Sequence, residues 1–456
     1  MLAVVHSMGE LDIVKMFILH GADVKIKTFH GTTAVYVAAE KGYVECLELL
    51  IRHGADVNSG TFYGKTPVYA ATKQGAFECL ELLIRHGANV NSMDLEGTTL
   101  LYTAANEGDV ESLELLIRHG ADVNSVDIDG TTAVYVAAHE GEIECLELMI
   151  RHGADVNSVA VDGTTPLYVA ATEGQLQCLG LLIQGEADVN PEPLHSLLGS
   201  TALLTAIENE WAEVVELLIE SGADVNNVNI INDQTPLMVA VQSGNLEILA
   251  LLLTKVSDVN RISNTGSTTL SFAIDVGHAI LVDALIDANA DFNLLDGIFG
   301  ITPLHSAVIH GFVDMVEKLL KQSTIAYDYV NPFDDSTAVY LAAKYGDLDI
   351  LEMLIRRGAD VNPNTNPTPV DAPFGTTVLL VAIENYDTDI VELLIESGAD
   401  VNKDNLNDWL RLQSVDVNSQ SESPQQESPF NFCPTVQDLE SITRGFSTFR
   451  GTFCGV

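Results

Sequence analysis

The sequence predicts an all-α solenoid, which is a stack of short helix-turn-helix repeats. Residues 32–58 (TTAVYVAAEKGYVECLELLIRHGADVN) and residues 131–157 (TTAVYVAAHEGEIECLELMIRHGADVN) are nearly identical, and looser copies follow. The opening threonines Thr33, Thr66 and Thr99 lie 33 residues apart. A fixed period of about 20 to 50 residues is typical of stacked repeats, because one repeat cannot bury its apolar face alone.

Each repeat is predicted to begin with a helix capped by threonine. Threonine favours the N-cap, and the Pro or Ala after it is a good first helical residue. The apolar run ends at a glycine such as Gly42 or Gly75, which suits the left-handed residue that closes a helix. The opening threonines are Thr33, Thr66, Thr99, Thr132, Thr165, Thr201, Thr235, Thr268, Thr302, Thr337 and Thr377.

A second helix is predicted to follow directly. In YVECLELLIRHG, Val44, Leu47 and Leu50 fall at helical spacing, with glutamates on the other side. It ends on Gly54, and the sequence Ala-Asp-Val-Asn then leads into a short polar loop before the next threonine. Each repeat is therefore helix, turn, helix and hairpin-like loop.

This pattern resembles the ankyrin repeat. The resemblance rests on T-P-L-x-x-A-A-x-x-G followed by L-L-I-x-x-G-A-D-V-N, and it covers residues 1 to about 402. It includes eleven repeats with an opening threonine and a leading partial one, about 12 in all. The resemblance implies a curved, right-handed stack with β-hairpin fingers and with the first helices on the concave side.

Some repeats depart from the family pattern. Tyrosine replaces the usual histidine after Thr-Pro-Leu in most copies, with His305 as the exception, so the histidine's hydrogen bond is not expected there. The first repeat lacks its opening threonine, which fits either a fragment or a natural N-terminal cap. The tyrosines are Tyr36, Tyr69, Tyr102, Tyr135, Tyr168 and Tyr340.

Non-glycine residues occupy several helix ends. They are Glu210 and Tyr386 after first helices and Glu186, Val256 and Asn289 after second helices. A left-handed β-branched residue costs on the order of 1–2 kcal/mol, so Val256 is expected to shift its turn. Asparagine tolerates the conformation better. Residues 30–190 are the most regular part of the array.

The C-terminal residues differ from the array. Residues 403–418 contain NLNDWLRL and are expected to form a capping helix, as solenoid ends require. Residues 419–456 begin with SQSESPQQES, whose composition predicts a flexible tail. The link at residues 362–375 carries four prolines and is expected to be stiff and extended.

The charge restricts the class of partner. Sixty-five acidic and 21 basic side chains give a formal charge of −44. Nucleic acid and anionic membranes are disfavoured, because both attract cationic proteins. The sequence shows neither a signal peptide nor an apolar run of the roughly 18 residues that span a membrane. We expect a monomer in the cytoplasm or nucleus that attracts a protein partner with a basic patch.

The sequence contains little that would indicate catalysis or metal binding, and we expect neither an enzyme nor a cofactor. No phosphate-binding loop, nucleophile elbow or zinc-binding motif is present. Cys46, Cys79, Cys145 and Cys178 recur at one repeat position beside the leucines, which is typical of small core residues. His53, His86, His119 and His152 recur before the closing glycines, where a cation favours a helix C-terminus.

The remaining candidates form a protein-binding surface. The resemblance places binding residues before the first-helix glycine and at the fingertips, and exposed aromatics are preferred interface anchors. The groove row is Glu40, Lys41, Lys73, Gln74, Asn106, Glu107, His139, Glu140, Thr172 and Glu173. The fingertip candidates are Phe29, His30, Phe62, Tyr63, Phe299 and Phe333.

The expected function is non-catalytic protein recognition, as a scaffold or adaptor. Two alternatives remain: a substrate-recognition subunit of a larger assembly such as a ubiquitin ligase, or a fragment of a larger ankyrin-containing protein. The resemblance also implies candidate substrates of 2-oxoglutarate-dependent asparaginyl hydroxylases. They are Asn58, Asn124, Asn190, Asn226 and Asn362, although an asparagine that bonds its own turn would explain them equally well.

Overall fold

The computed structural model is all-α in the residues it describes, as predicted. The described residues are 11–191, 199–229, 231, 234–256, 258–263, 266–297, 299–363 and 377–401. The predicted cap at 403–418, the predicted tail at 419–456 and most of the proline-rich link lie outside them. The described residues form 23 helices and no β-strand.

One helix, α1 (Leu11–Leu19), precedes eleven helix pairs in the described part of the chain. The first helices of the pairs are α2 (Ala34–Glu40), α4 (Pro67–Lys73), α6 (Leu100–Asn106), α8 (Ala133–Glu140), α10 (Pro166–Thr172), α12 (Ala202–Glu208), α14 (Pro236–Ser243), α16 (Thr269–Val276), α18 (Pro303–Ile309), α20 (Ala338–Tyr345) and α22 (Val378–Glu384). The second helices are α3 (Val44–Arg52), α5 (Phe77–Arg85), α7 (Val110–Arg118), α9 (Ile143–Arg151), α11 (Leu176–Gln184), α13 (Ala212–Glu220), α15 (Leu246–Leu253), α17 (Ala279–Asp287), α19 (Val313–Leu320), α21 (Leu348–Arg356) and α23 (Thr388–Glu396).

The threonine N-caps are confirmed. The Thr33 hydroxyl accepts a hydrogen bond from the Tyr36 backbone N–H at 3.2 Å, which satisfies one of the free donors of the first turn. The equivalent threonine caps each of the other ten first helices in the same way.

The helix ends also follow the prediction. Positive φ angles occur at the four helix ends occupied by Glu186, Glu210, Asn289 and Tyr386, where other repeats have glycine. Asp335, in a finger, also has a positive φ angle, which we had not predicted. Val256 avoids the left-handed region. Helix α15 ends early, at Leu253, and the Val256 N–H bonds to the Leu252 carbonyl, so the turn is shifted as expected.

The core lies between helices of successive repeats. Leu47, Leu50, Leu80 and Leu83 are fully buried, and each first helix contributes small residues such as Ala38 that let neighbouring helices approach closely. Within each compact unit, first helices contact first helices of the next repeat, and most second helices contact second helices. The structure thus provides the stacking that one isolated repeat lacks.

The chain divides into two compact units. The N-terminal unit contains Met1–Thr265 with Asp287–Ala290, and the C-terminal unit contains Gly266–Ile286 with Asp291–Val456. In the N-terminal unit, α1 and the second helices form one continuous row of neighbours, in the order α1, α3, α5, α7, α9, α11, α13 and α15. In the C-terminal unit, α16, α18, α20 and α22 stack in order, as do α19, α21 and α23.

The fingers differ from the expected β-hairpins. Among the described residues, pairing between extended segments is limited to two isolated antiparallel bridges, Met93 with Thr99 and Val126 with Thr132. Turns close the fingers in the described part of the chain, as where the Thr28 N–H donates to the Thr32 carbonyl at 2.9 Å.

Candidate protein-binding surface

The groove row lies at the C-terminal ends of the first helices in the N-terminal unit. Eight of its ten side chains are exposed, and Glu40 and Thr172 are partly buried. Thr172 is occupied internally, because its hydroxyl donates to the Tyr168 carbonyl. His139 joins neighbouring repeats, with Nδ1 2.8 Å from Glu140 and Nε2 3.9 Å from Glu173.

The predicted fingertip residues are exposed. Phe29, Phe62, Tyr63 and Phe333 each expose more than half of their surface, and Phe299 is 46% exposed. The Phe29 and His30 rings meet edge to face with centroids 5.5 Å apart. Phe333 covers Gly300, where an added Cβ would come within 2.7 Å of its ring. This phenylalanine therefore packs on the preceding finger as well as facing solvent.

The sequence analysis missed three fingertip residues because it considered only aromatics. Leu95, Ile128 and Val161 follow Phe29 and Phe62 at the same 33-residue interval. These five side chains are 66% to 88% exposed, and we refer to them as the fingertip stripe. The signal that would have found them is an apolar residue recurring at the tip of a polar turn.

Hydrogen bonds between fingers hold the stripe in place. The backbone N–H groups of four stripe residues donate to backbone carbonyls of the preceding finger, at 2.8 to 3.3 Å. The pairs are Phe62 with His30, Leu95 with Tyr63, Ile128 with Glu96, and Val161 with Asp129. Asp94 and Asp127 accept backbone N–H bonds inside their own turns. The side chains of the stripe are consequently presented on a hydrogen-bonded frame.

Charge is distributed unevenly along this surface. The first fingers and groove positions carry Lys25, Lys27, Lys41, Lys65 and Lys73, and the next lysine in the chain is Lys255. Between Lys73 and Lys255 the sequence has three arginines, Arg85, Arg118 and Arg151, and no other lysine or arginine. Each of these arginines pairs with a glutamate on its own second helix. The fingertips that follow carry exposed Glu96, Asp129 and Asp162.

The tyrosines that replace histidine line the first helices. Burial raises the pKa of Tyr36 to about 12, with Glu40 adding to the effect. The Tyr135 hydroxyl lies 3.0 Å from the hydroxyl of Thr164 in the next finger, so tyrosine here supplies an inter-repeat hydrogen bond that we had not expected. These hydroxyls support the fingers.

The expectation that the asparagines bond their own turns was wrong. The Asn58 side chain donates to the Gly87 carbonyl at 3.0 Å and accepts from the Asn89 N–H at 2.8 Å, both in the next repeat. Its own turn is closed by Asp56. Asn124, Asn190 and Asn362 make the same pair of side-chain bonds, whereas the Asn226 side chain makes neither of them with the described residues. Their hydroxylation stays a prediction.

The recurring cysteines and histidines do not form a reactive site. Cys46, Cys79, Cys145 and Cys178 are buried, and burial raises the pKa of the Cys145 thiol to about 12. His53 ends α3 and its ring nitrogen lies 2.9 Å from the Leu49 carbonyl. Within the described ranges no three histidine, cysteine or acidic side chains converge as metal ligands would.

A cleft of about 210 Å³ lies between two fingers, lined in part by Met93, Asn91 and Asp122. Small-molecule sites usually have a volume of about 300 to 1,000 Å³. This cleft is therefore a gap between neighbouring repeats. Among the helices that the structure describes, none is long and apolar enough to cross a bilayer.

The C-terminal unit contains a polar cluster on its first helices. Ser306 donates to the Asp275 carboxylate, and His310 Nδ1 is 2.9 Å from the Ser306 carbonyl. Desolvation raises the pKa of Asp275, although Ser306 and His310 oppose the shift. The Ser306 hydroxyl also lies 3.5 Å from His310 Nδ1, so this serine links the Asp275 carboxylate to the His310 ring within the stack.

Family models of the ankyrin repeat match most of the chain. A model of three repeat copies matches residues 1–94, 100–193, 190–263 and 270–365, and a single-repeat model matches residues 374–406. Together these segments cover far more than half of the sequence.

Individual relatives match parts of the chain. The ankyrin repeat protein FPV031 of Fowlpox virus (strain NVSL) is 27% identical over 168 residues, which cover 36% of this chain and 49% of the viral protein. The glycerophosphocholine phosphodiesterase GDE1 of Candida albicans is 34% identical over 96 residues, 21% of this chain and 8% of that protein. The human ASB11 ankyrin repeat domain shares 25% identity over 50% of this chain and 99% of the domain, with a TM-score of 0.45. The chain thus spans about half of the viral relative and a small part of the yeast one.

Proposed function

The chain belongs to the ankyrin repeat family, and we propose that it is a non-catalytic scaffold or adaptor. It binds a protein partner through the fingertip stripe and the groove row of the N-terminal unit. Ankyrin repeats are typically protein-interaction modules, and the specific partner and surface are the proposal made here.

One observation carries the proposal. The frame residues of each repeat cap a helix, fill the core or bond the next repeat, whereas the fingertip stripe is left exposed. Keeping five large apolar side chains in water costs free energy, at about 25 cal/mol per Å² of apolar surface. A row of exposed apolar side chains that recurs from finger to finger supports an interaction site.

The charges beside the stripe support the same conclusion and indicate which charge the partner carries. Glu96, Asp129 and Asp162 flank the apolar tips, with no cation close to them in sequence. Such a surface steers a partner that carries a basic patch and raises its association rate. Lys27 and Lys65, at the other end of the row, favour acidic groups on the same partner.

A catalytic role has no support in the residues described. The buried thiols have raised pKa values and are poor nucleophiles, since the thiolate is the reactive form. The sequence similarity to GDE1 covers 8% of that protein. We therefore propose binding without chemistry.

Crosslinking tests the proposal. The full-length chain is used to capture partners from cells, and crosslinked peptides are identified by mass spectrometry. We expect crosslinks at the fingertips and groove row, and Ile128→Asp should reduce capture about tenfold. Ile280→Asp is the matched control, because Ile280 is equally exposed but lies on second helix α17.

Two results would refute this function. One is a set of partners whose crosslinks map to the second helices. The other is equal capture by the Ile128→Asp variant and the wild-type chain. Circular dichroism of both variants checks that each remains folded.

A further inference from the structure

We propose that the fingertip stripe binds one long amphipathic α-helix, with an apolar residue at every seventh position and charge of opposite sign at its two ends. This inference rests on the proposed function and specifies the partner of the same site. Four features of the stripe lead to it: its spacing, the state of its backbone, its length and its charge.

The spacing of the fingers is close to, and slightly less than, the rise of two helical turns. Neighbouring repeats are separated by the packing distance of their helices, about 8–10 Å. Residues seven apart on an α-helix lie on one face about 10.5 Å apart, at 1.5 Å per residue. Alternate residues of a β-strand are only about 6.6–6.8 Å apart, so a strand would fall out of register after one finger. A helix can place one side chain against each tip.

The backbone N–H groups of four fingertips are already bonded. The N–H groups of Phe62, Leu95, Ile128 and Val161 are all donated to the preceding finger. An extended peptide that binds by strand addition needs free main-chain groups on its receptor. A helix satisfies its own backbone internally and needs only side-chain contacts. These four tips therefore offer a partner exposed side chains and no free N–H group.

The number of tips sets the length of the partner. The stripe from Phe29 to Val161 contains five tips and four intervals. Four steps of seven residues require a helix of about 29 residues, which is about 43 Å long.

The charges give the helix two different ends. Leu95, Ile128 and Val161 are each followed by a carboxylate, in Glu96, Asp129 and Asp162. Lys27 and Lys65 lie beside the first two tips, where no fingertip carboxylate is present. The part of the helix on the acidic tips must therefore be basic, and the part on the aromatic tips must be neutral or acidic.

Synthetic peptides test the inference with the full-length chain. The heptad peptide has 30 residues with leucine at every seventh position, arginines flanking three leucines and glutamates flanking the other two. The respaced peptide has the same composition with leucine at every fifth position. A third peptide is proline-rich with leucine at every third position, because polyproline II repeats at about 9.3 Å. Binding is measured by fluorescence anisotropy.

We expect the heptad peptide to bind at least about tenfold more tightly than the other two. The Ile128→Asp variant should weaken this binding about tenfold, and Ile280→Asp should leave it unchanged. Equal affinity for the respaced peptide, or tighter binding of the proline-rich peptide, would overturn the inference. The inference would also be overturned if sedimentation showed that the chain self-associates and that Ile128→Asp abolishes this self-association.

The two proposals fail separately. If captured partners crosslink to the fingertips but none of the peptides depends on leucine spacing, the binding function stands and the helical partner is wrong. If crosslinks avoid the fingertips altogether, both are wrong.

Discussion

Most side chains of a repeat have one identifiable structural contact. Thr132 caps α8, Cys145 fills the core and Tyr135 bonds the next finger. The cap and the core residue were predictable from the sequence, because cap, core and stop residues each have a distinctive chemistry, whereas the Tyr135 bond was not. The partner of a side chain in the next repeat was not predictable, as Asn58 shows, because sequence spacing does not reveal which carbonyl lies opposite.

Ser112 provides a test of this description. It occupies the repeat position of the buried cysteines, and its hydroxyl has no hydrogen-bond partner in the described structure. A buried unsatisfied hydroxyl costs about 1–3 kcal/mol, so Ser112→Cys should stabilise its repeat by about 1 kcal/mol. Amide exchange of α7 measures the effect. The reverse change, Cys145→Ser, is the control and should destabilise its own repeat, and a neutral or destabilising Ser112→Cys would contradict the account.

His305 predicts a pH dependence of stability. Burial lowers the pKa of this histidine from 6.5 to about 4, although the backbone of Ser336 and Tyr329 and the charge of Asp334 oppose the shift. Between these pH values the unfolded chain binds the proton and the folded chain does not, so stability falls as pH falls from about 6.5 to 4. The loss should approach about 3 kcal/mol.

The contribution of His305 to the pH dependence of stability can be isolated by comparing a variant with the wild-type chain. Other repeats carry tyrosine at this position, so His305→Tyr is the natural comparison. Thermal melts at pH 7 and pH 4.5 should show a smaller fall in melting temperature for the variant than for the wild-type chain. Equal falls would show that this histidine is not buried in its neutral form.

At the level of elements, the array depends on how each helix ends. Glycine at the left-handed position costs little, and Gly174 has a second reason, since an added Cβ would meet the Trp211 ring at 2.6 Å. The sequence predicted the four non-glycine left-handed helix ends, because the repeat spacing marks each position, and it predicted that the β-branched Val256 would shift its turn instead. It failed for the fingers, where turns stand in place of the expected β-hairpins.

Tyr386 is the least favourable of these ends. Its φ is 59° and its side chain is 88% exposed, so it has strain without compensating burial. Replacing it with glycine should stabilise the α22–α23 pair by about 1 kcal/mol. Slower amide exchange in Tyr386→Gly, with little change in Tyr386→Ala, would support this. Equal effects of the two substitutions would contradict a backbone origin.

At the level of the whole chain, the regular repeats and the irregular ones should differ in stability. In a solenoid each repeat is stabilised chiefly by its neighbours, so substituted turns weaken the region around them. Residues 200–330 include Glu210, Asn289 and the shifted turn at Val256. The family and the frame could be predicted from the sequence, but the fingertip stripe was only partly predicted, since Leu95 has no chemistry that distinguishes it from a core leucine.

Amide hydrogen exchange over the full chain tests this difference. Residues 200–330 should exchange faster than residues 30–185, because their opening free energy is lower. The measurement is made at one pH and temperature with peptide-level mass spectrometry. Faster exchange at residues 30–185 would contradict the prediction.

The central claim is that a protein partner binds the fingertip stripe. A photo-reactive amino acid placed at Ile128 of the full-length chain tests it most directly, with the same group at Ile280 as the control. After irradiation in cells, the account predicts a crosslinked partner at Ile128 and none at Ile280. A partner crosslinked through Ile280 alone, or equally through both positions, would contradict it.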